Sequence, residues 1–519
     1  MAPDVGVANI AAKLRWQGPL DIYVLQESLL ELVRRHAFLR TIIESTPAGL
    51  TQVTLAPRAV SIQLVDLREL SGSELQSELP RRLSAAAATP IAADQFPWLR
   101  ATAIRVSADV TEVVFAVSHL VCDGVSMGIL CRELVQAYQS IRGGHRLKWR
   151  VHPAGTPIRM VPLPVENGRQ LNGHVSDCRL PPDRVPPPTV TYRGRQLEFQ
   201  ITADQSKQIS DLSRQHSVSP FVTWLSLLES VMLRYTQTDQ MVIDIAESGR
   251  TSESRRLVGP FLQTNPLEIS AEPAATFANL LVANHQRVRA SVERSRTAGT
   301  RSQSTGRRPL ILLDYQTGIE PMSVDDDVLV IPAEFDNGAA IAAFCLGVRR
   351  TRAGFHGHIK FDCDLFSNEM AARFLEHFRQ LVSQVIKAPD IPLSTIPLAI
   401  DEELKMLERI NATEVEFDQT NLVDELFDRR VEREPNAPAV TVHGHSHSYA
   451  QVSWLSHQIA ATLRRRGMAG DDRVAILLRV WSHPCWEFSV PVPPMYPLIH
   501  TVPRSASNWS STMPTSGVL

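Results

Sequence analysis

The sequence predicts a two-lobed α/β or α+β protein with a small third unit appended. Helix-period and strand-period segments alternate through residues 1–165 and again through 192–395, and a proline-crowded stretch at 166–191 separates these two similar-sized halves. With 519 residues, 44% of them hydrophobic, the chain is long enough for each half to bury its own core. The formal net charge of -2 carries none of the basic excess that nucleic acid or an anionic membrane surface selects. Small or covalently carried substrates fit that balance better.

In the first half, VLQESLLELVRRHAFLRT places Leu25, Leu29, Leu32 and Val33 at helical spacing, with Glu27, Glu31, Arg34 and Arg35 on the other side. This predicts an amphipathic helix packed on a sheet. LRATAIRVSADVTEVVFAVSH predicts a hairpin turning at Ser107–Asp109, whose second strand, Val113–Val117, is apolar on both faces. A helix is expected from Ser126, with Met127, Leu130, Cys131, Leu134 and Tyr138 on one face.

The prolines of PLP and LPPDRVPPPTV suit an extended crossover between lobes. Beyond it, strands are expected at RQLEFQI, MVIDIAE, LILLDY, AAFCLGVRR and GHIKFDC. Helices are expected over about 203–235, after Pro273, and at NEMAARFLEHFRQLVSQVI. TAGTRSQSTGRR is expected to be a basic, mobile loop.

Residues 396–420 read as a linker. Residues 421–480 then hold a helix, a strand pair, a helix and a buried strand, and the Pro- and Ser-rich stretch 481–519 shows no sustained period and is expected not to fold. No apolar run approaches the roughly 20 residues of a membrane helix, and the opening MAPDVGVANIAAKLRW lacks the apolar core of a secretory signal, so a cytoplasmic location is expected. The six cysteines lie apart with no CxxC pair; they are expected to be core residues or free thiols, with no metal site.

The sharpest constellation follows the apolar strand: His119, Leu120, Val121, Cys122, Asp123 and Gly124. A histidine at a strand end can keep a ring nitrogen free to accept a proton near neutral pH. Asp123 would fix the loop through an arginine pair, and Gly124 would let a substrate or another backbone come close. The same residues also fit a core histidine bonded to a carbonyl, with Asp123 merely capping the next helix.

Further motifs carry a resemblance to a family. GPLD followed by Arg35, His36, Leu39, Arg40 and Thr41 resembles the RHxxLRT motif of the condensation domains of nonribosomal peptide synthetases, and VSHLVCDGVS resembles their HHxxxDG motif. VGPFLQTNPL is similar to the GxFVNTxPLR segment, and FDCDLF, containing Asp364, to YxxDLF. The four occur in the family's order over about residues 8–395. HSYAQV and GDDRVAILL resemble the opening of an adenylation domain, although the Gly-rich phosphate loop that adenylate formation needs is absent from the sequence.

The resemblance implies two chloramphenicol acetyltransferase-like lobes set in a V around a tunnel, plus a small incomplete α/β unit. It implies amide formation between an acyl or peptidyl thioester and an aminoacyl amine, each held on the phosphopantetheine of a partner carrier protein, in secondary-metabolite biosynthesis. His119 would be the general base or would position the amine, Asp123 would be structural, and Gly124 would border the reacting carbonyl. Ser118, Gln263 and Thr264 are expected to line the tunnel, and Arg35, His36, Arg40 and Asp364 to hold motif structure. Carrier proteins and other synthetase modules are the expected partners, with no cofactor bound by the chain itself, no nucleic acid and no membrane.

Three departures stand out. The family's SxAQxRLW motif would lie ahead of Met1, so a first strand and the arginine that pairs with the motif aspartate are expected to be missing, leaving Asp123 without its partner. Ser118 replaces the first histidine. Gln263 stands where the family often has Asn, and Glu268 where it often has Arg. Two other functions remain open on the sequence: a non-catalytic truncated synthetase remnant or carrier-docking piece, and a freestanding acyltransferase using coenzyme A or a carrier.

Overall fold

A computed structural model of the chain describes residues 9–149, 180–297, 308–416 and 421–468, apart from positions 48, 93, 253, 271, 273, 274 and 443. Most of the proline-rich crossover, most of the basic loop, the strand expected at GDDRVAILL and the 481–519 stretch lie outside the described residues. The chain divides into two units, 1–406 and 407–519.

The first lobe opens with a strand that the sequence reading leaves unassigned, β1 (Asn9–Gln17). Helix α1 (Ile22–Arg35) follows, capped by the Asp21 carboxylate, which accepts from the backbone N–H groups of Tyr23 and Val24. A small hairpin of β2 (Thr41–Thr46) and β3 (Gly49–Thr54) precedes β4 (Ile62–Asp66) and helix α2 (Gly72–Ala88). The expected hairpin is present as β5 (Leu99–Arg105) and β6 (Val110–Ser118), and α3 (Gly124–Arg142) starts two residues earlier than periodicity places it, with Asp123 as its cap.

The second lobe begins with β7 (Gly194–Gln200), helices α4 (Ala203–Gln215) and α5 (Pro220–Thr236), and β8 (Gln240–Ser248). Next come β9 (Leu262–Ser270), the long helix α6 (Phe277–Thr297), β10 (Ile311–Thr317), the two-residue β11 (Met322–Ser323) and β12 (Leu329–Glu334). Strands β13 (Phe344–Thr351) and β14 (Gly354–Asp362) and helix α7 (Asn368–Lys387) complete it. Helix α8 (Asp401–Asn411) then leads onward.

Each lobe is built on one six-stranded sheet, ordered β11-β12-β1-β6-β5-β4 in the first and β7-β14-β13-β10-β8-β9 in the second. Strand β12 comes from the second half of the sequence yet pairs antiparallel with β1, so the lobes are interlocked by backbone hydrogen bonds. Strand alternation sends Leu14, Trp16, Val113, Phe115 and Val117 toward α1 and α3, and Ala11, Val114 and Ala116 toward α2. Both faces of β6 are therefore buried, as its continuous apolar run requires.

Among the described residues the helices of the second lobe pack on one face of its sheet. Ile243, Leu313, Leu346, Ile359 and Phe361 meet Trp224, Leu228, Phe374 and Phe378 there, and each such side chain buried contributes roughly 1.5–3 kcal/mol. The other face bears Asp314, Gln316, Arg349, His356, His358 and Lys360 and is left to line a cavity.

In the second unit, α9 (Val423–Arg433), a hairpin of β15 (Pro438–Val442) and β16 (His445–Ser448), and α10 (Tyr449–Arg465) follow the predicted order. Phe427 and Tyr449 join its helices, their ring centroids 5.7 Å apart. Among the described residues no helix is long and apolar enough to cross a membrane. Cys122, Cys131, Cys345 and Cys363 are free thiols, and burial pushes the Cys131 thiol up to about 12.

Candidate active site

Strand β6 ends at Ser118, whose backbone N–H donates to the Trp98 carbonyl at 3.0 Å, and a tight turn closes as Val121 N–H returns to the Ser118 carbonyl at 3.1 Å. His119 stands in that turn, half-buried. No described residue hydrogen-bonds its imidazole, and the ring lines a cavity of about 930 Å³ shared by both lobes. The alternative of a core histidine bonded to a carbonyl is not what the turn builds.

Asp123 is 1% exposed and fully engaged. Its Oδ1 accepts from Ser126 N–H at 2.7 Å, capping α3, and from Arg250 Nη2 at 2.8 Å; its Oδ2 accepts from Phe261 N–H at 3.1 Å. The expectation that Asp123 lacks its arginine is therefore corrected. The partner comes from the loop between β8 and β9 in the second lobe, and not from a segment ahead of the chain.

The same guanidinium donates to Ser126 Oγ at 2.6 Å, and to the carbonyls of Leu257 and Ser254 at 2.6 and 3.0 Å. It also lies over the Phe261 ring, 4.3 Å from the centroid. Ser126 Oγ accepts from Gly259 N–H and donates to the Gly259 carbonyl. A buried carboxylate held by three donors, one of them a charged guanidinium, is a fixture that sets the turn bearing His119.

Gly124 is the first residue of α3 and faces β10 of the other lobe. A Cβ there would meet the Gln316 carboxamide, so glycine at this point leaves that side chain undisturbed.

Of the positions expected to line the tunnel, Thr264 does so, on β9. Ser118 is wholly buried, its Oγ accepting from Leu120 N–H, and Gln263 turns its amide toward Gly249 on the other face of β9. The remaining motif residues act in scaffolding. Arg35 and His36 both bond Glu133, at 3.1 and 2.6 Å; burial alone would raise the Glu133 carboxyl, but these two partners hold it below its ordinary value. Arg40 Nη1 donates to the Leu55 carbonyl at 2.6 Å, and Asp364 pairs with Arg193 at 2.7 Å and Thr191.

Sequence reasoning missed Arg250, Ser126, Asp314, Gln316 and Arg349. Nothing local marks Arg250, which lies 127 positions from the carboxylate it serves. The strand alternation of β10 and β13, had it been followed residue by residue, puts Asp314 and Arg349 on a polar face.

Two lobes on six-stranded sheets, with an open histidine in a turn between them, are the arrangement of the chloramphenicol acetyltransferase-like fold. The condensation-domain family matches residues 3–153 and 168–302, and the chain belongs to this family, the peptide-bond-forming domains of nonribosomal peptide synthetases. A linear gramicidin synthase of Brevibacillus parabrevis is 27% identical over 91% of this chain, and surfactin synthase subunit 2 of Bacillus subtilis (strain 168) is 24% identical over 94%. The chain spans only 10% and 14% of the length of those two proteins.

Among solved structures, the first condensation domain of the calcium-dependent antibiotic synthetase superposes with a TM-score of 0.62 at 17% identity, covering 77% of this chain and 96% of that one. A four-domain nonribosomal peptide synthetase gives 0.64 at 16% identity, covering 91% of this chain and 38% of that one. These likenesses establish the fold.

Proposed function

We propose that the chain joins an acyl or peptidyl thioester, carried on one protein's phosphopantetheine, to the amine of an aminoacyl thioester carried on another. The observation that carries this reading is the open His119 imidazole in a cavity lined by both lobes, beside Gly124 at the start of α3. The amine nitrogen attacks the thioester carbonyl, His119 accepts the proton the amine sheds, and that proton follows the departing thiolate as the C–S bond breaks and the C–N bond stands. Holding both thioesters in one cavity makes the encounter unimolecular, which lowers the barrier by several kcal/mol. Asp123 does not touch substrate; with Arg250 it holds the turn.

The second unit is proposed to be the opening of an adenylation domain, supported by its helix, strand pair and helix and by the likeness of 91% of the chain to a four-domain synthetase. Carrier domains of a cytoplasmic assembly line are then the partners. The test is amide formation from N-acetylaminoacyl- and aminoacyl-loaded carriers, read by mass spectrometry. His119→Ala is expected to lower turnover by roughly 10²–10⁴-fold. Turnover at the wild-type rate in that variant would overturn the assignment.

A further inference from the structure

The cavity face of the second sheet holds a charged cluster that the proposed reaction does not yet use. Along β10, Ile311, Leu313 and Tyr315 turn toward the helices, which leaves Leu312, Asp314 and Gln316 on the cavity side. Asp314 Oδ2 pairs with Arg349 Nη2 at 2.7 Å, the two side chains being 18% and 11% exposed. Arg349 is itself anchored, its Nη1 donating to the carbonyls of Asp314 and Val348, both at 3.1 Å. Burial is the largest influence and would raise the Asp314 carboxyl, but Arg349, the Gln316 hydrogen bond and His358 together hold the group below its ordinary value, and so ionised.

This ion pair dictates the orientation of Gln316. The side-chain atom facing Asp314 Oδ1 at 2.7 Å has to be Nε2, because a carboxylate can only accept. Oε1 is then turned the other way, toward Gly124, where it is the atom nearest to the place a Cβ would occupy. No described residue donates to Oε1. A half-buried, fixed acceptor thus stands at the first residue of α3, in the same cavity as the open His119 imidazole.

We infer that Gln316 orients the attacking amine: Oε1 accepts one amine N–H and leaves the other N–H to His119, while Asp314 and Arg349 are positioning residues that keep the carboxamide from flipping. An amide oxygen is too weak a base to take the proton, so it aligns the nitrogen lone pair on the thioester carbonyl without competing with the imidazole. The inference rests on the amide-forming reading above and adds the acceptor-side contact to it. It also explains why the position facing Gln316 is glycine: any side chain there would push the carboxamide out of line.

The experiment measures amide formation with the full chain, using pools of N-acetylaminoacyl-pantetheine donors and aminoacyl-pantetheine acceptors spanning apolar, aromatic, acidic, basic and polar side chains. Gln316→Leu keeps the volume and removes the acceptor; kcat is expected to fall roughly 10- to 100-fold, the scale of one lost hydrogen bond in a reacting complex, with KM for both thioesters and the melting temperature unchanged. The double variant Asp314→Asn with Gln316→Glu exchanges donor and acceptor, since the introduced carboxamide can donate to the introduced carboxylate, and is expected to recover most of the loss, which a purely structural role would not do. Wild-type kcat in Gln316→Leu, or a loss confined to KM, overturns the inference while a His119-dependent wild-type activity leaves the amide-forming reading standing. A wild-type chain that forms no amide, indistinguishable from His119→Ala, overturns both.

Discussion

Arg250 and Asp123 form an ion pair at 2.8 Å, with side chains only 6% and 2% exposed, across 127 residues of sequence and between the two lobes. The pair ties the loop ahead of β9 to the start of α3, so a residue of the second lobe holds the turn that carries His119, and the geometry of that turn is a property of the whole first unit.

Removing one partner of such a pair leaves an uncompensated buried charge. Arg250→Met is expected to destabilise the protein by about 3–5 kcal/mol and to lower amide formation with it. Arg250→Lys should restore little, because an ammonium cannot reach Asp123, Ser126 and two backbone carbonyls at once. Urea unfolding of the three proteins measures both statements; a lysine variant as stable as wild type would show that charge alone suffices.

At Gly124 the atoms in the way of a Cβ all belong to the Gln316 carboxamide, the far end of a flexible side chain. Gly124→Ala is therefore expected to fold with less than about 1 kcal/mol lost, the range of a substitution that strains neither backbone nor core. Its turnover should nevertheless fall, since the carboxamide must leave Asp314 to make room. Calorimetry beside a turnover assay separates the two effects, and an alanine variant that matches wild type in both contradicts the crowding at this point.

Glu229 in α5 is wholly buried, and burial pushes its carboxyl from the ordinary 4.5 up to about 7, although Asn284 and Arg287 favour the ionised form. The folded state thus holds this proton more tightly than the unfolded chain. Its contribution to stability is complete below pH 4.5 and is lost as pH rises through about 7. Glu229→Gln has nothing to ionise, so its stability relative to wild type should grow by roughly 2–3 kcal/mol between pH 4.5 and pH 8. Denaturation midpoints across that range check it; a flat difference would place the Glu229 carboxyl at its ordinary value.

Arg234 at the end of α5 donates from one nitrogen to the carbonyls of Leu393 and Ile396, at 2.8 and 2.9 Å, and Gln380 holds those of Pro397 and Ala399. These contacts join backbone bonds from Leu393 N–H to the Ala275 carbonyl and from Ala278 N–H to the Pro389 carbonyl in pinning the segment leading to α8. Arg234→Ala should leave the carbonyls to water and speed limited proteolysis between residues 388 and 400, with about 1–3 kcal/mol lost. Cleavage at the wild-type rate would mean that Leu393, Ile396 and the backbone bonds keep it docked.

Much of the architecture is legible in the residues taken in order. The period of Leu25, Leu29, Leu32 and Val33 marks α1, the unbroken run Val113–Val117 marks a strand buried on both faces, and His119 to Gly124 marks the turn at the site. These features depend on side chains a few positions apart, whose burial is decided by local period and by the hydrophobic effect. Strand β1 does carry a period-two pattern, Ile10, Ala12, Leu14 and Trp16 alternating with Lys13, Arg15 and Gln17, that the sequence reading passes over; β12 escapes such reading because its place is set by pairing with β1, far away in the sequence. The partner of Asp123 escapes it for a related reason. One buried carboxylate demands a cation, but many arginines are available to the chain, and only lobe closure selects Arg250.

What the sequence by itself determined is the two-lobed plan with its most strongly periodic helices and strands, the family and the histidine turn at the end of β6, since short-range periodicity and contiguous motifs carry that information directly. What only the tertiary structure decided is how the site is held and oriented: Arg250 on Asp123, Gln316 against Gly124, and β12 laid beside β1. Those relationships join residues more than a hundred positions apart, and the free energy that selects them, desolvation offset by pairing, exists only after both lobes have excluded water from between them.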